Sequence, residues 1–246
     1  MKIVRQKVVI QSKVNRDQVL KKIEAIGRTC YKSEAKITPD SASEFASMLV
    51  WRGHLSVLEH VSLTVRFVTD RGISHELVRH RIASFSQEST RYVDYGSPGR
   101  DVEVIIPGDL AQNSSPGRTE WETAVARAEE AYLNLRRMGY SPQLARSVLP
   151  TCAKTEVVMT ADLREWMLVL DQRTSEAAHP DMRRLMRPLL RYLRLQLPEI
   201  FTPGLGSGAV LAPEAEFEHH KGDSLAQMVT LGAERAARAP GEGGLQ

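Results

Sequence analysis

Cysteine is scarce in this chain of 246 residues, and long apolar runs are missing. The two cysteines, Cys30 and Cys152, lie far apart and form no C-x-x-C pair. This spacing argues against a disulfide scaffold and against a cysteine-rich zinc site, and it suits a reducing compartment. No apolar run in the sequence approaches the roughly 18 residues that a membrane-spanning helix requires. We therefore expect a cytoplasmic protein without a membrane partner.

A strong excess of one sign of charge is also missing. The 33 Lys and Arg residues nearly balance the 30 Asp and Glu residues, which leaves a formal net charge of +3. Such a weakly basic chain suits small anions about as well as nucleic acid, so charge alone identifies no partner. The hydrophobic content of 42% is enough for a sizeable core, and the length suits one large domain or at most two.

Helical and extended patterns alternate along most of the chain, with no visible repeat and no internal linker. This organisation predicts one α+β domain over residues 1–203, in which helices cover a largely antiparallel sheet. The remaining residues, 204–246, are rich in Gly, Ala and Glu and contain few large apolar side chains. That composition predicts a flexible tail.

Apolar residues spaced three and four apart predict amphipathic helices. These helices are expected from Asp17 to Cys30, from Asp40 or Ser41 to near Gly53, from Thr119 to Met138, from Asp162 to Arg173, and from Pro180 onward with a kink or interruption at Pro188. Alternating β-branched and polar residues predict strands at 60–68, 102–106 and 156–159. Three tryptophans on apolar helical faces are expected in the core or at subunit contacts: Trp51, Trp121 and Trp166.

The most informative segment is residues 73–92, with the sequence ISHELVRHRIASFSQESTRY. If residues 73–82 form a helix, Glu76, Arg79 and His80 share its polar side with His75. The helix would then lead into a loop of hydroxyl and amide side chains. Arginines and hydroxyls of this kind can bind phosphate. The alternative is a helix end that favours cations through its dipole, followed by a polar turn.

The spacing R-H-R-x7-S, formed here by residues 79–81 and Ser89, resembles the signature of the flavin-dependent thymidylate synthases. Three further stretches are similar to elements of that family and occur in the same order: GHLSVLEH at 53–60, ARSVLP at 145–150, and Leu163-Arg164 followed by Arg173. Together these elements extend over roughly residues 26–198.

The resemblance implies an enzyme that methylates dUMP to dTMP. Methylenetetrahydrofolate would supply the carbon, FAD would carry the hydride, and NADPH or NADH would be the reductant. The resemblance also implies a homotetramer with its flavin sites between subunits.

The resemblance also implies a role for individual residues. Arg173 falls at the catalytic position, where a cation beside the uracil would stabilise negative charge on the ring without a covalent enzyme adduct. Alternatively, Arg173 merely caps its helix and pairs with Asp171 or Glu176. The residues implied in FAD binding are His54, Ser56, Arg79, His80, Arg81, Ser86, Gln87, Asp162 and Arg164. Those implied in dUMP binding are Glu76, Arg79, Gln87, Ser89, Thr90, Arg91, Arg146 and Arg173.

Several positions depart from the usual residues of the family. Glu76 stands where glutamine is usual, and Asp162 stands where asparagine is usual. A carboxylate in place of an amide loses a donor unless it is protonated, so these contacts are expected to differ from the usual ones. The other departures are Ser86-Gln87 in place of asparagine-glutamate and His179 in place of glutamine.

Other chemistries remain open from the residues alone. Cys152 could act as a nucleophile, although a lone cysteine is more often a small buried hydrophobe. The histidines could hold zinc, but they form no H-E-x-x-H pair, and we expect no metal. The arginine-rich segment 183–194 could bind nucleic acid. Arginines interleaved with Leu and Met are more typical of the solvated edge of a packed helix, so we expect no nucleic-acid partner.

Overall fold

The computed structural model describes residues 1–111 and 115–201 and the backbone of residues 227–230. Its strands are β1 (Lys2–Val4), β2 (Lys7–Ile10), β3 (Ser62–Asp70), β4 (Ala83–Gln87), β5 (Glu103–Ile105), β6 (Lys154–Asp162) and β7 (Gln227–Thr230). The main sheet has the order β4-β6-β3-β2-β7, and all its pairings are antiparallel. A separate parallel pair joins β1 to β5.

The helices lie mainly against this sheet and confirm the predicted α+β fold. Their bounds are α1 (Arg16–Thr29), α2 (Ser41–Trp51), α3 (Arg71–Leu77), α4 (Gly108–Ala111), α5 (Pro116–Arg137), α6 (Pro142–Ala145), α7 (Leu163–Thr174), α8 (Pro180–Gln196) and α9 (Pro198–Phe201). The predicted kink or interruption does not end α8, which continues through Pro188. Within the described ranges, no helix is both long and apolar enough to cross a bilayer.

Strands β3 and β6 form the centre of the sheet and pair over their full length, from Ser62 opposite Asp162 to Asp70 opposite Lys154. Their side chains alternate between buried and half-buried, as expected when one face of a strand meets the core. Trp166 of α7 is fully buried against this face and donates from Nε1 to the carbonyl of Leu63 at 3.1 Å. The pairing therefore fixes α7 against the central strands.

The structure corrects the expectations for residues 73–87. The helix ends at Leu77, so it does not reach residue 82, and residues 83–87 form the edge strand β4, where a loop was predicted. His80 is only 6% exposed, so it does not share an exposed polar side with Arg79. The strand was missed because its residues are polar and it forms through pairing with β6, about 70 residues further along the chain.

Two other expectations concern the three tryptophans and the C-terminal tail. Trp166 and Trp121 pack in apolar clusters as predicted, whereas Trp51 is 80% exposed and lies outside the core of the chain. The predicted flexible tail, 204–246, lies outside the described residues except for β7, whose backbone pairs with the edge of β2.

Candidate active site

The R-H-R segment lies in the turn between α3 and β4. Asp70 caps α3 by accepting from the backbone N–H of Ile73 at 2.8 Å, and the helix ends after Leu77. Arg79 and Arg81 are consequently exposed on this turn, and neither guanidinium forms an ion pair with any described residue. Two cations that have no carboxylate partner in the described part of the chain are available to an anionic ligand.

Arg173, near the end of α7, reaches across to this turn and to the end of α3. Its Nη1 donates to Oε2 of Glu76, its Nη2 to the carbonyl of Glu76, and its Nε to Nε2 of His80, each at 3.0 Å. Neither Asp171 nor Glu176 is a partner of Arg173, so the alternative of a purely local ion pair is wrong. The guanidinium is held by three contacts from residues more than 90 positions earlier in the chain.

His80 lies between Arg173 and a second residue of α7. Its Nδ1 is 3.5 Å from Oε1 of Glu165, and both side chains are about 95% buried. Burial and the neighbouring Arg173 cation lower the pKa of His80 to about 4, so the imidazole is neutral at physiological pH. Burial and the charge of Asp162 raise the pKa of Glu165.

Residues 88–91 follow β4 and contain three of the residues implied in phosphate binding, Ser89, Thr90 and Arg91. Nη1 of Arg146 donates to Oγ1 of Thr90 at 3.3 Å, so these two residues from distant segments meet. The hydroxyl of Ser89 accepts from the backbone N–H of Arg91 at 3.3 Å, and the guanidinium of Arg91 is exposed. The guanidinium of Arg146 therefore meets the hydroxyl of Thr90, and this combination of groups suits phosphate.

Gln87 turns its amide into the protein. Its Nε2 donates to the hydroxyl of Ser74 at 2.9 Å and to that of Thr155 at 3.2 Å. Both N–H donors of the amide are engaged, which leaves the carbonyl oxygen for any ligand. The adjacent Ser86 is exposed on the other face of β4, as alternation along a strand requires.

Glu88 anchors the residues before the phosphate-binding segment, and sequence reasoning missed it. Its carboxylate accepts from the hydroxyl of Tyr95 at 2.9 Å and from Nζ of Lys154 at 3.3 Å. Burial and the carboxylate of Glu88 raise the pKa of Tyr95, so the phenol keeps its proton. The backbone N–H of Glu88 also donates to the carbonyl of Glu156 in β6 at 2.8 Å.

The other residues implied in flavin binding lie at the opposite end of α7. Ser56 lies on a 3₁₀ turn, Leu55–His60, His54 immediately precedes it, and both residues are exposed. Arg164 forms an ion pair with Glu59 of that turn. Because Arg164 and Arg173 are nine residues apart on one helix, they are separated by roughly 14 Å along its axis. Arg173 and Glu76 thus meet at one end of α7, Arg164 and the 3₁₀ turn lie at the other, and His80 contacts residues near both ends.

The unusual residues at three positions each have a structural partner. The carboxylate of Glu76 pairs with Arg173. Asp162 caps α7, because its Oδ1 accepts from the backbone N–H of Glu165 at 2.8 Å. His179 caps α8 through Nδ1, which accepts from the backbone N–H of Asp181 at 3.1 Å. The carboxylates of Glu76 and Asp162 thus act as acceptors.

Glu165 was missed because its position in the sequence carries no distinctive signal. It stands between the buried Leu163 and Trp166 in a helix whose other buried residues are mostly apolar. A charged residue next to buried apolar positions is a weak indication of a buried ion pair or hydrogen bond. Identifying His80 as its neighbour requires the tertiary structure.

The structure also bears on the other chemistries. Burial raises the pKa of the Cys152 thiol to about 11, which disfavours the thiolate that a nucleophile needs. Among the described residues, no group of three or more His, Cys, Asp or Glu side chains is arranged to hold a metal ion. Arg183 and Arg187 of α8 pair with Glu176, and Arg184 pairs with Asp109 and Asp181. These arginines are engaged within the chain, as expected for the edge of a packed helix.

Comparison with known proteins identifies the family. Residues 13–199 match the family model described as thymidylate synthase complementing protein. The flavin-dependent thymidylate synthase of Mycobacterium tuberculosis (strain ATCC 25618 / H37Rv) is 32% identical over 197 residues, which cover 73% of this chain and 77% of that protein. The flavin-dependent thymidylate synthase of Geobacter sulfurreducens is 34% identical over 193 residues, which cover 76% of this chain and 82% of that protein. With its sheet, its R-H-R turn and the residues gathered around Arg173, the chain belongs to the thymidylate synthase complementing protein family.

Proposed function

We propose that this protein makes dTMP by reductive methylation of dUMP. Methylenetetrahydrofolate is the carbon donor, bound FAD supplies the hydride, and NADPH or NADH is the reductant. Family membership and the names of the relatives support thymidylate synthesis with a flavin. The details of donor and reductant rest on the motifs that the chain shares with the flavin-dependent enzymes.

The arrangement of Arg173 is the observation that carries the proposal. A guanidinium has five N–H donors, and Glu76 and His80 engage three of them. The two that remain, one on each terminal nitrogen, can donate to a carbonyl oxygen of uracil. A cation so oriented stabilises negative charge that develops on the ring and makes C5 more nucleophilic. Arg173 is therefore the catalytic residue of the proposal, and no protein nucleophile is required.

The phosphate of dUMP would bind where Arg146 and Arg91 meet the hydroxyls of Ser89 and Thr90. The contact between Arg146 and Thr90 supports this assignment, because it joins two of the implied residues from distant segments of the chain. Glu88, which precedes these residues, is bound to β6 through its backbone N–H and to Lys154 through its carboxylate. The start of the phosphate-binding segment is therefore held in place. A site fixed in advance loses less conformational entropy when the nucleotide binds.

The residues near the R-H-R turn fit a dinucleotide such as FAD. Arg79 and Arg81 are exposed cations without a carboxylate partner among the described residues, and Ser86 adds an exposed hydroxyl nearby on β4. Two guanidinium groups and a hydroxyl match the charge and the hydrogen-bonding capacity of a diphosphate. The contacts that the resemblance implies for His80 and Gln87 remain predictions.

The exposed residues at the start of α7, Arg164, His54 and Ser56, support a homotetramer with its flavin sites between subunits. Among the described residues, no hydrogen bond or ion pair joins these three residues to Arg79 or Arg81 of the R-H-R turn. In the homotetramer, a second copy of the chain would place its R-H-R turn at the start of α7. Trp51, which is 80% exposed, is an apolar side chain that a subunit contact would cover.

The test is the colour and the activity of the purified protein. We expect a yellow preparation with a flavin absorption spectrum, which forms dTMP only when dUMP, methylenetetrahydrofolate and a reduced nicotinamide are all present. Omitting each co-substrate in turn is the control, and exchanging NADPH for NADH identifies the reductant. A protein that is folded, colourless after incubation with FAD and unable to form dTMP would contradict the proposal.

A further inference from the structure

The imidazole of His80 connects two side chains of α7 that lie eight residues apart. Its Nε2 is 3.0 Å from Nε of Arg173, and its Nδ1 is 3.5 Å from Oε1 of Glu165. The charged groups around the ring are thus Arg173 and Glu165 of α7, with Glu76 of α3 on the far side of the guanidinium and Asp162 next to Glu165. The buried position of the ring leaves little water to replace either contact.

The direction of the hydrogen bond from Arg173 determines the protonation of His80. The guanidinium can only donate, so Nε2 must carry a lone pair. The single proton of the neutral ring is then on Nδ1, which faces the carboxylate of Glu165. A proton on Nε2 would set two donors against each other and would weaken the contact that orients Arg173.

Glu165 is the group that can select this tautomer. Its carboxylate accepts whether it is ionised or protonated, since the carbonyl oxygen remains an acceptor in both forms. The separation of 3.5 Å between Nδ1 and Oε1 is long for a hydrogen bond, and catalytic hydrogen bonds commonly shorten in the complex with substrate. The lowered pKa of His80 agrees with a neutral ring.

We propose that Glu165 is a positioning residue that fixes the Nδ1–H tautomer of His80, so that Nε2 accepts from Arg173 and orients the guanidinium toward the uracil of dUMP. The inference rests on the proposed function only for its effect on catalysis. The proton stays on Nδ1 throughout, and no bond is formed or broken at Glu165 or His80.

The first experiment measures the tautomer directly. Solid-state ¹⁵N NMR is applied to protein labelled only at Nδ1 of histidine, and the His80 signal among the seven histidines is assigned by its loss in His80→Asn. At neutral pH we expect a protonated Nδ1 in the wild type and in Glu165→Gln, whose amide oxygen still accepts. In Glu165→Met, which has similar length but no oxygen, a large fraction of Nδ1 should lose its proton.

The second experiment measures turnover of the same flavin-loaded proteins. Glu165→Met should lower kcat by about 10- to 100-fold, as expected for a misplaced catalytic group, with a much smaller change in KM for dUMP. Glu165→Gln should recover most of the rate. Glu24→Met is the matched control, because Glu24 is also a buried helical carboxylate paired within the chain. It should change stability and leave both the tautomer and kcat near their wild-type values.

The proposal is overturned by an unprotonated Nδ1 in the wild type, or by Glu165→Met protein whose His80 tautomer or kcat is unchanged. If the methionine variant does not fold, the wild-type spectrum still decides whether Nδ1 of His80 carries the proton. A wild type without thymidylate synthase activity would contradict the proposed function, whereas the NMR result would still test the link between Glu165 and His80.

Discussion

Arg173 is a residue whose environment could not be foreseen from its own helix. Its position in the L-R…R pattern is visible in the sequence, but its partners Glu76 and His80 are 97 and 93 residues away. The carboxylate of Glu76 gives the guanidinium an ion pair that glutamine could not provide. Glutamate at position 76 therefore adds an ion pair with Arg173 and removes the N–H donor that a glutamine amide would have.

Replacing Arg173 tests the proposed chemistry. Arg173→Ala should retain FAD and lower dTMP formation by roughly 100- to 1,000-fold, because one preorganised charge beside a developing anion contributes about 2.7–4 kcal/mol. Arg173→Lys should recover only part of the rate, since an ammonium lacks the planar fork. The measurement is tritium release from C5-labelled dUMP.

The control for that experiment is Arg187→Ala on α8, which removes an arginine paired with Glu176 and should leave the release of tritium nearly unchanged. Near-normal release from a folded, yellow Arg173→Ala protein would remove Arg173 from the mechanism.

At the scale of elements, α7 is the structural link between the site residues at its two ends. Its bounds were predicted to within one residue, because its apolar spacing and its acidic cap are local signals. The edge strand β4 was not predicted. Ser84 and Ser86 point outward and Phe85 inward only once β6 provides the partner for hydrogen bonding.

The cap of α7 gives a prediction at this scale. Asp162→Ala should lower the free energy of unfolding by about 1 kcal/mol, because it removes the acceptor for the backbone N–H of Glu165. Asp162→Asn should lower it less, since the amide oxygen can still accept. Urea denaturation followed by circular dichroism measures both effects.

Asp171→Ala, at an exposed position of the same helix, is the control and should change the stability little. Equal stability of the alanine and asparagine variants at position 162 would show that the cap contributes nothing measurable.

At the scale of the whole molecule, His80 makes folding stability depend on pH. Its pKa of about 4 in the folded chain lies below the value of about 6.5 expected in the unfolded chain. Between these values the unfolded chain binds a proton that the folded chain does not. The contribution of the neutral His80 to the free energy of unfolding is therefore complete above pH 6.5 and is lost as the pH falls toward 4. The full loss is on the order of 3 kcal/mol.

The measurement compares the denaturation midpoints of the wild type and His80→Asn at pH 7.5 and pH 5. The wild type should lose clearly more stability than the variant on acidification. The exposed His75 provides the control, because His75→Asn should follow the wild type. Parallel curves for the wild type and His80→Asn would contradict the assignment of a buried neutral imidazole.

The sequence by itself determined the α+β class, the family resemblance and most of the helix positions. These depend on composition, on apolar periodicity and on motifs such as R-H-R-x7-S, all of which are read within short segments. It also identified Arg173, Arg146 and the serines and arginines of residues 79–91 as candidates for the site.

Only the tertiary structure decided which of these residues meet. Periodicity shows which side of a helix is apolar, but it does not show which other element packs there. The antiparallel pairing of β3 with β6 makes α3 and α7 begin at opposite ends of the strand pair, and the last turn of α7 then places Arg173 at the end of α3. Glu76, His80 and Arg173 are in contact in this arrangement, and the imidazole is enclosed against Glu165, a residue that no local signal had marked.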